Sequence, residues 1–590
     1  MFHISQVNRL SVKAGGPAGK GVFTIGGLFA KIVHRLGLWV VVTQDYPSLI
    51  KGGHNTITVR AEPDMIYSDI ELVDVLIAVD NDTIRLHAHE LSNDGIVIVD
   101  SKALKGLEEL PREDIRYLDI PVSEIIKETG GARYENTVLL GATCAVFGID
   151  KDVPLALMEG KFAKKGEQVL ANNRESFNRG YDAAYAQLEE APFKIRIEPI
   201  AHEDRRLLIT GNDAAAVGAI KAGVKLIAEY PMTPSSSILH FMAAHEEDRR
   251  ILVKHTEDEL AAINILIGGS VAGLRVMTAT SGGGFALMNE GLGFAALAEA
   301  PVVILESMRS GPSTGMPTYT DQGDLLYALH ASQGEFPRVV LTPGDVTESF
   351  RYGFEAFNIA ERLQVPVILL LDKHISSSTF STPRFETADL SVDRGWLLKD
   401  GEAAHYLDEN GKFKRHMLTD SGISPRAIPG QAQGMYVASS YEHDETGYTS
   451  EDARNRELQM EKRFRKLDQL DREFIRPTFY GASREEADIL IVSWGSNKGA
   501  ILEAMKFLEQ EDKNVRFMHI SVAWPLDAET ISEELEAAKV SALVEATYTG
   551  QMGRLIRAET GKATNHKILK YDGRPFTPWA LRSRIVELIP

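Results

Sequence analysis

A chain of 590 residues predicts about three or four domains, each large enough to bury its own core. Its 44% apolar and 25% charged content is that of an ordinary globular protein, and a net charge of -19 excludes the concentrated basic face that nucleic acid or an anionic membrane requires. One cysteine, Cys144, excludes an internal disulfide and any cysteine-ligated iron–sulfur or zinc site built from this chain alone. The stretch Met1 to Leu10 lacks the apolar core of a signal peptide, and the longest apolar runs, such as 365–371, are too short for a bilayer, so the expected location is cytoplasmic. The basic run Lys462-Arg463-Phe464-Arg465-Lys466 is flanked by acidic residues and reads as a solvated helix face.

In chain order, residues 10–100 alternate apolar strands at 10–14, 38–43, 54–60, 75–80 and 95–100 with a helix over 22–36, a Rossmann-like α/β unit. Its glycine-rich turn is Gly15-Gly16-Pro17-Ala18-Gly19-Lys20-Gly21, and amides exposed before a helix suit a diphosphate. A P-loop needs a hydroxyl where Gly21 stands. A dinucleotide fingerprint needs a different glycine spacing, although Asp45 sits where its carboxylate would. A third reading is a tight turn and nothing more. Lys51-Gly52-Gly53 forms a second loop whose role the sequence does not give. Helices follow over 136–147 and 155–190, and the polar stretch 191–205 marks a boundary.

A second α/β domain is expected from a strand at 207–210 through a strand at 366–371, a doubly wound sheet. It carries Tyr230-Pro231-Met232-Thr233-Pro234, then Thr256-Glu257-Asp258-Glu259 opening a helix, a strand at 274–278, Ser281-Gly282-Gly283-Gly284, a helix over 285–299, a strand at 302–305, and Arg309-Ser310-Gly311-Pro312-Ser313-Thr314-Gly315. Loops at the carboxyl ends of parallel strands are where such sheets bind ligands. Residues 376–484 read as a surface-wrapping connection ending in a helix, and 485–590 as a final α/β domain.

Taken together and in this order, these motifs resemble the α subunit of the 2-oxoacid:ferredoxin oxidoreductases, with residues 1–195 similar to that family's γ subunit and 485–590 to the transketolase C-terminal domain. The resemblance implies a Rossmann-like γ domain at 1–195, a doubly wound thiamin-diphosphate pyrimidine-binding domain at 205–375 and a connection at 376–484 before the last domain. It implies that Glu259 is the carboxylate beside the aminopyrimidine of thiamin diphosphate, where burial would help it share a proton. Thr256 and Glu259 are also spaced as a capping box, which excludes that role. Arg309 matches the substrate arginine, able to grip a 2-oxoacid carboxylate through paired hydrogen bonds, and Thr233 and Tyr230 flank it in the Tyr-Pro loop. In isolation Arg309 would read as a surface ion pair and Thr233 as a turn or cap residue. By the same resemblance Gly15, Gly16, Gly19, Lys20 and Gly21 contact coenzyme A. Thr547 stands where relatives often have Asn and receives no role.

The diphosphate–Mg2+ motif of thiamin enzymes is missing from the chain, as are a zinc spacing at His87 and His89 and a nucleophile elbow. The resemblance therefore implies a separate β subunit with the diphosphate–Mg2+ site and a [4Fe-4S] cluster, a dimer of αβ units, and ferredoxin as acceptor docking mainly on β. The implied reaction is oxidative decarboxylation of a 2-oxoacid, 2-oxoglutarate before pyruvate or a broad range, to acyl-CoA and CO2. A nicotinamide-dependent oxidoreductase and a non-catalytic assembly subunit are the alternatives.

Overall fold

The computed structural model describes residues 6–47, 53–100, 102, 112–189, 191–201 and 206–589. The Lys51-Gly52 part of the second loop lies outside them. The chain divides into two compact units, one of 1–209 with 378–384 and 577–579, the other of 210–377 with 385–576 and 580–590.

The first unit is built on one eight-stranded sheet, in the order Arg116–Asp119, Leu91–Val99, Val73–Ala78, Leu10–Pro17, His54–Glu62, Trp39–Asp45, Thr379–Thr382, Leu207–Thr210. The first four strands are parallel, as a Rossmann-like unit requires, but His54–Glu62 runs antiparallel to both of its neighbours. It separates the first strand from Trp39–Asp45, so Asp45 is one strand too far away for the dinucleotide fingerprint. The strand at 207–210, expected to open the second domain, instead lies at the edge of this sheet. Helices Val22–Arg35, Glu135–Val146 and Glu167–Leu188 build the core together with the sheet strands, and Cys144 is buried in it.

The second unit holds a seven-stranded sheet, in the order Leu252–His255, Leu226–Glu229, Val276–Thr280, Val302–Met308, Pro366–Asp372, Val339–Leu341, Val522–Trp524. Only the last of these strands is antiparallel to its neighbour. Every residue of Val302–Met308 and Pro366–Asp372 is buried, as expected of strands covered by helices on both faces. A five-stranded sheet follows, mainly parallel, in the order Thr478–Gly481, Val515–Ile520, Ile489–Trp494, Ser541–Glu545, His566–Leu569.

Some boundaries move for identifiable reasons. The strand expected at 274–278 is Val276–Thr280, because Gly273, at φ 90°, and a Leu274 amide bonded to Gly269 turn the chain first. The helix expected over 285–299 breaks at Met288 into Gly282–Leu287 and Asn289–Leu297.

The basic run 462–466 does not form a solvated face. Lys462, Arg463 and Lys466 are buried, with both lysines on Glu299 and Arg463 on Glu442. The acidic partners that make burial tolerable lie 20 and more residues away, outside any local charge pattern. Among the described residues no helix is long and apolar enough to cross a membrane.

Candidate functional site

In the seven-stranded sheet the chain passes from Leu226–Glu229 outward to Leu252–His255, then returns to the other side at Val276–Thr280. The loops leaving the first and third of these strands diverge, which opens a crevice at the topological switch point. Three of the motifs bordering it leave the carboxyl ends of Leu226–Glu229, Leu252–His255 and Val276–Thr280; the fourth, at Arg309, follows the next strand.

Glu259 is the first residue of helix Glu259–Val271 and is 2% exposed. The capping box does not form: Asp258 is the cap, accepting the Ala261 amide at 2.7 Å. The Thr256 hydroxyl and Glu259 Oε1 are both buried without a hydrogen-bond partner. A two-residue shift in the helix start, from a cap at Thr256 to one at Asp258, therefore frees the carboxyl. Burial, with Asp258 adding to it, raises the Glu259 carboxyl above its ordinary range.

Gly282, Gly283 and Gly284 bring the crevice groups together. A Cβ on Gly284 would lie 2.5 Å from Glu259 Oε1 and 2.1 Å from Thr280 Oγ1, and one on Gly282 would lie 2.5 Å from Asp324 Oδ2. The hydroxyls of Thr278 and Ser281 and both Glu229 carboxyl oxygens are also buried and unpartnered. Buried polar atoms are nearly always satisfied, so this gathering of exceptions at one end of one sheet marks a place for a polar ligand.

Arg309 is half-buried and donates from Nη1 to the Thr233 carbonyl at 2.7 Å. The surface ion-pair reading does not apply. Burial lowers its pKa from the guanidinium value, and Asp324 opposes that shift. What Thr233 offers Arg309 is its backbone oxygen, not its hydroxyl. Asn212 holds the same loop, donating to the Pro234 carbonyl and the Ser237 hydroxyl, each at 2.9 Å. Tyr230 is exposed, its ring centroid 6.3 Å from that of His255.

Sequence reasoning missed Asn212, Glu229, Glu306 and Asp324. Glu306 is fully buried near the end of its strand, and burial followed by Asp324 pushes its carboxyl well above the ordinary range. Burial also raises Asp324, while Glu306 and Arg309 oppose the rise. Burial thus disfavours the charge on Glu306 more strongly than on Asp324, whose carboxyl interacts electrostatically with Arg309. The available signal was an acidic residue ending an otherwise apolar strand.

In the first unit, Gly15 and Gly16 belong to strand Leu10–Pro17, paired with Thr56 and Asn55, so the turn shrinks to Ala18–Gly21. Gly19 and Gly21 have φ of 87° and 75°, which favours glycine, and Lys20 pairs at 3.4 Å with Glu135. Thr547 accepts the Gly550 amide in its own turn.

Residues 217–462 match the family described as pyruvate flavodoxin/ferredoxin oxidoreductase, thiamine diP-binding. Residues 11–183 match pyruvate ferredoxin/flavodoxin oxidoreductase, and 481–571 match transketolase, C-terminal domain. The chain is 30% identical to the 2-oxoacid:ferredoxin oxidoreductase subunit alpha of a Sulfolobus species, covering 98% of this chain and 97% of that one. It is 31% identical to the 2-oxoglutarate synthase subunit KorA of Methanothermobacter marburgensis, over 64% of this chain and 98% of the relative. A solved 2-oxoglutarate:ferredoxin oxidoreductase from Magnetococcus marinus, with 2-oxoglutarate, coenzyme A and succinyl-CoA bound, superposes with TM-score 0.90 at 32% identity, covering 99% of this chain and 100% of that one.

Proposed function

The chain belongs to the 2-oxoacid:ferredoxin oxidoreductases as an α subunit with a thiamin-diphosphate-binding domain, and on that premise we propose that its crevice takes a 2-oxoacid, 2-oxoglutarate by preference, for oxidative decarboxylation to acyl-CoA. The observation that carries this reading is a buried, unpartnered Glu259 carboxyl and a half-buried Arg309 guanidinium bordering one crevice, linked by Gly282–Gly284.

The residues present fit the cofactor. Glu259 Oε1 lacks a partner, and the missing side chain at Gly284 lets that oxygen sit close against the backbone of the glycine run. Glu259 would hold a proton at the pyrimidine ring nitrogen, and its burial, which favours the protonated carboxyl, suits it to that role. Thiamin diphosphate, when bound, supplies the carbon nucleophile for the substrate ketone. Arg309 would take the adjacent carboxylate with the donors that Thr233 leaves free, the Thr233 carbonyl orienting the guanidinium and Asp324 favouring its charge. The name of one relative and the bound ligands of the Magnetococcus marinus enzyme favour 2-oxoglutarate and coenzyme A. Coenzyme A would meet the Ala18–Gly21 turn of the first unit. A β subunit would supply the diphosphate–Mg2+ site and the [4Fe-4S] cluster, pass electrons to ferredoxin and pair into a dimer of αβ units.

The test is one-electron dye reduction by the complex captured through a tag on this chain, with and without coenzyme A, across a panel of 2-oxoacids. Glu259→Gln should lower turnover by about 10²–10⁴-fold without changing the thermal midpoint. Arg309→Met should raise KM for the acid by at least about tenfold. A Glu259→Gln complex with full turnover would return the chain to a non-catalytic assembly role.

A further inference from the structure

Away from the crevice, the second unit has a cleft of about 430 Å3, within the roughly 300–1,000 Å3 range of small-molecule sites. Its walls are mainly hydrocarbon, from Leu326, Leu329, Phe336, Phe464, Trp524 and Leu555. At its base lies Arg338, 4% exposed. Nη1 of Arg338 donates to the Ala328 and Ala331 carbonyls, at 3.2 and 2.8 Å, closing the end of helix Leu325–His330. Nε and Nη2 make no hydrogen bond among the described residues, and no carboxylate lies within ion-pair distance. A guanidinium buried without an acid is costly, and burial has pushed this one down to about 10. Its face rests on the Phe336 ring, with Cζ 4.1 Å from the centroid, so the planar edge bearing the two free donors is held in place.

We propose that this cleft binds an organic monocarboxylate with a hydrocarbon body, the carboxylate on Arg338 Nε and Nη2 and the body against the Trp524 and Phe464 side. The two free donors match one carboxylate side by side. The rim carries exposed Glu335 and Glu559 beside exposed Arg554, so a polyanion is repelled at the mouth while a monoanion on an apolar stem can enter. The site is separate from Arg309 yet mechanically adjacent to it. Helix Leu325–His330, which forms one wall, begins directly after Asp324, and Gln551 fixes its start by accepting the Leu326 amide at 2.8 Å. An occupant therefore bears on the helix whose first turn carries the Asp324 carboxylate.

Titration calorimetry on the intact tagged complex, with octanoate and phenylacetate as probes and inorganic phosphate and octylamine as controls, tests the proposal. At least one carboxylate should saturate one site per chain, and neither control should bind. Arg338→Met removes the cation, whereas Ala558→Trp fills the mouth from an exposed position and leaves the core intact. Each should weaken binding at least about tenfold. Hydrogen exchange in 325–338 should slow with ligand in the unsubstituted complex only. No saturable binding by either carboxylate, or binding indifferent to both substitutions, overturns the proposal; so does a cleft already protected from exchange in the ligand-free complex, which would mean that a partner subunit covers it.

Discussion

A single atom separates two readings of Gly284. In this crevice a glycine is needed less for backbone freedom than for the space its missing side chain leaves over Glu259 and Thr280. A methyl there would meet two side-chain oxygens at distances no Cβ adopts, so Gly284→Ala must displace the Glu259 carboxyl or the helix that begins at Gly282. The expected result is a stability loss of about 1–3 kcal/mol and turnover reduced at least tenfold. Gly283→Ala is the control, since its Cβ would approach only the Met232 sulfur, at 4.0 Å, and both quantities should stay near those of the unsubstituted protein. Thermal midpoints and dye-reduction rates of the two variants, measured side by side, separate cofactor space from general helix damage.

At the scale of elements, helix Ala453–Arg465 is tied to helix Asn289–Leu297 by a buried charge cluster. Lys462 and Lys466 each lie 2.5 Å from Glu299, His416 Nδ1 lies 3.1 Å from it, and Lys466 also donates to the Gln364 carbonyl. Glu299, His416 and His443 are close enough to hold a metal, but the Lys462 and Lys466 amines, which burial pushes down to about 7 and about 8, already occupy the carboxylate. Burial alone would raise Glu299, yet the two lysines and His416 hold it well below the ordinary glutamate range. Because its folded pKa is depressed, its stabilisation is fully present above the unfolded value of about 4.5 and lost as pH falls through the folded one. Lys462→Met should cost about 3–5 kcal/mol at about pH 6, where the lysine, pushed down to about 7, still carries its charge, and the double variant with Glu299→Gln less than the sum. Both should lose less further stability than the unsubstituted chain when acidified below pH 4.5. Urea midpoints across that range check the sign. The same cluster shows what the sequence hid. The order of strands and helices, and the Arg309 and Tyr230 loops, were legible because apolar periodicity and glycine–proline punctuation are local. Lys462 with Glu299, Asn212 with Pro234 and the entry of 207–210 into the first sheet depend on partners far along the chain, which no local pattern encodes. The cap at Asp258 was missed for a subtler reason: two adjacent capping signals overlap, and the one that wins leaves Glu259 free.

For the molecule as a whole, charge and sulfur content set the limits of what this chain does. Cys144 is fully buried, and burial pushes its thiol far above the ordinary range, so it is neither a metal ligand nor a redox group in the folded protein. One cysteine cannot hold a cluster that needs four. On the proposed reading the one-electron centre therefore lies on another chain, and a net charge of -19 gives an acidic ferredoxin little reason to dock here. Reconstitution separates the contributions. Expressed alone, the chain should carry no stoichiometric iron and reduce no dye from 2-oxoglutarate and coenzyme A. With the β subunit added, both should appear together, and the ferredoxin KM should stay nearly unchanged when exposed acidic residues of this chain are neutralised. Dye reduction by the chain alone would mean that the electrons have a route through it that one buried cysteine does not provide. Nicotinamide-dependent turnover by the isolated chain would move the redox chemistry to the first unit, where the inserted strand His54–Glu62 argues against it.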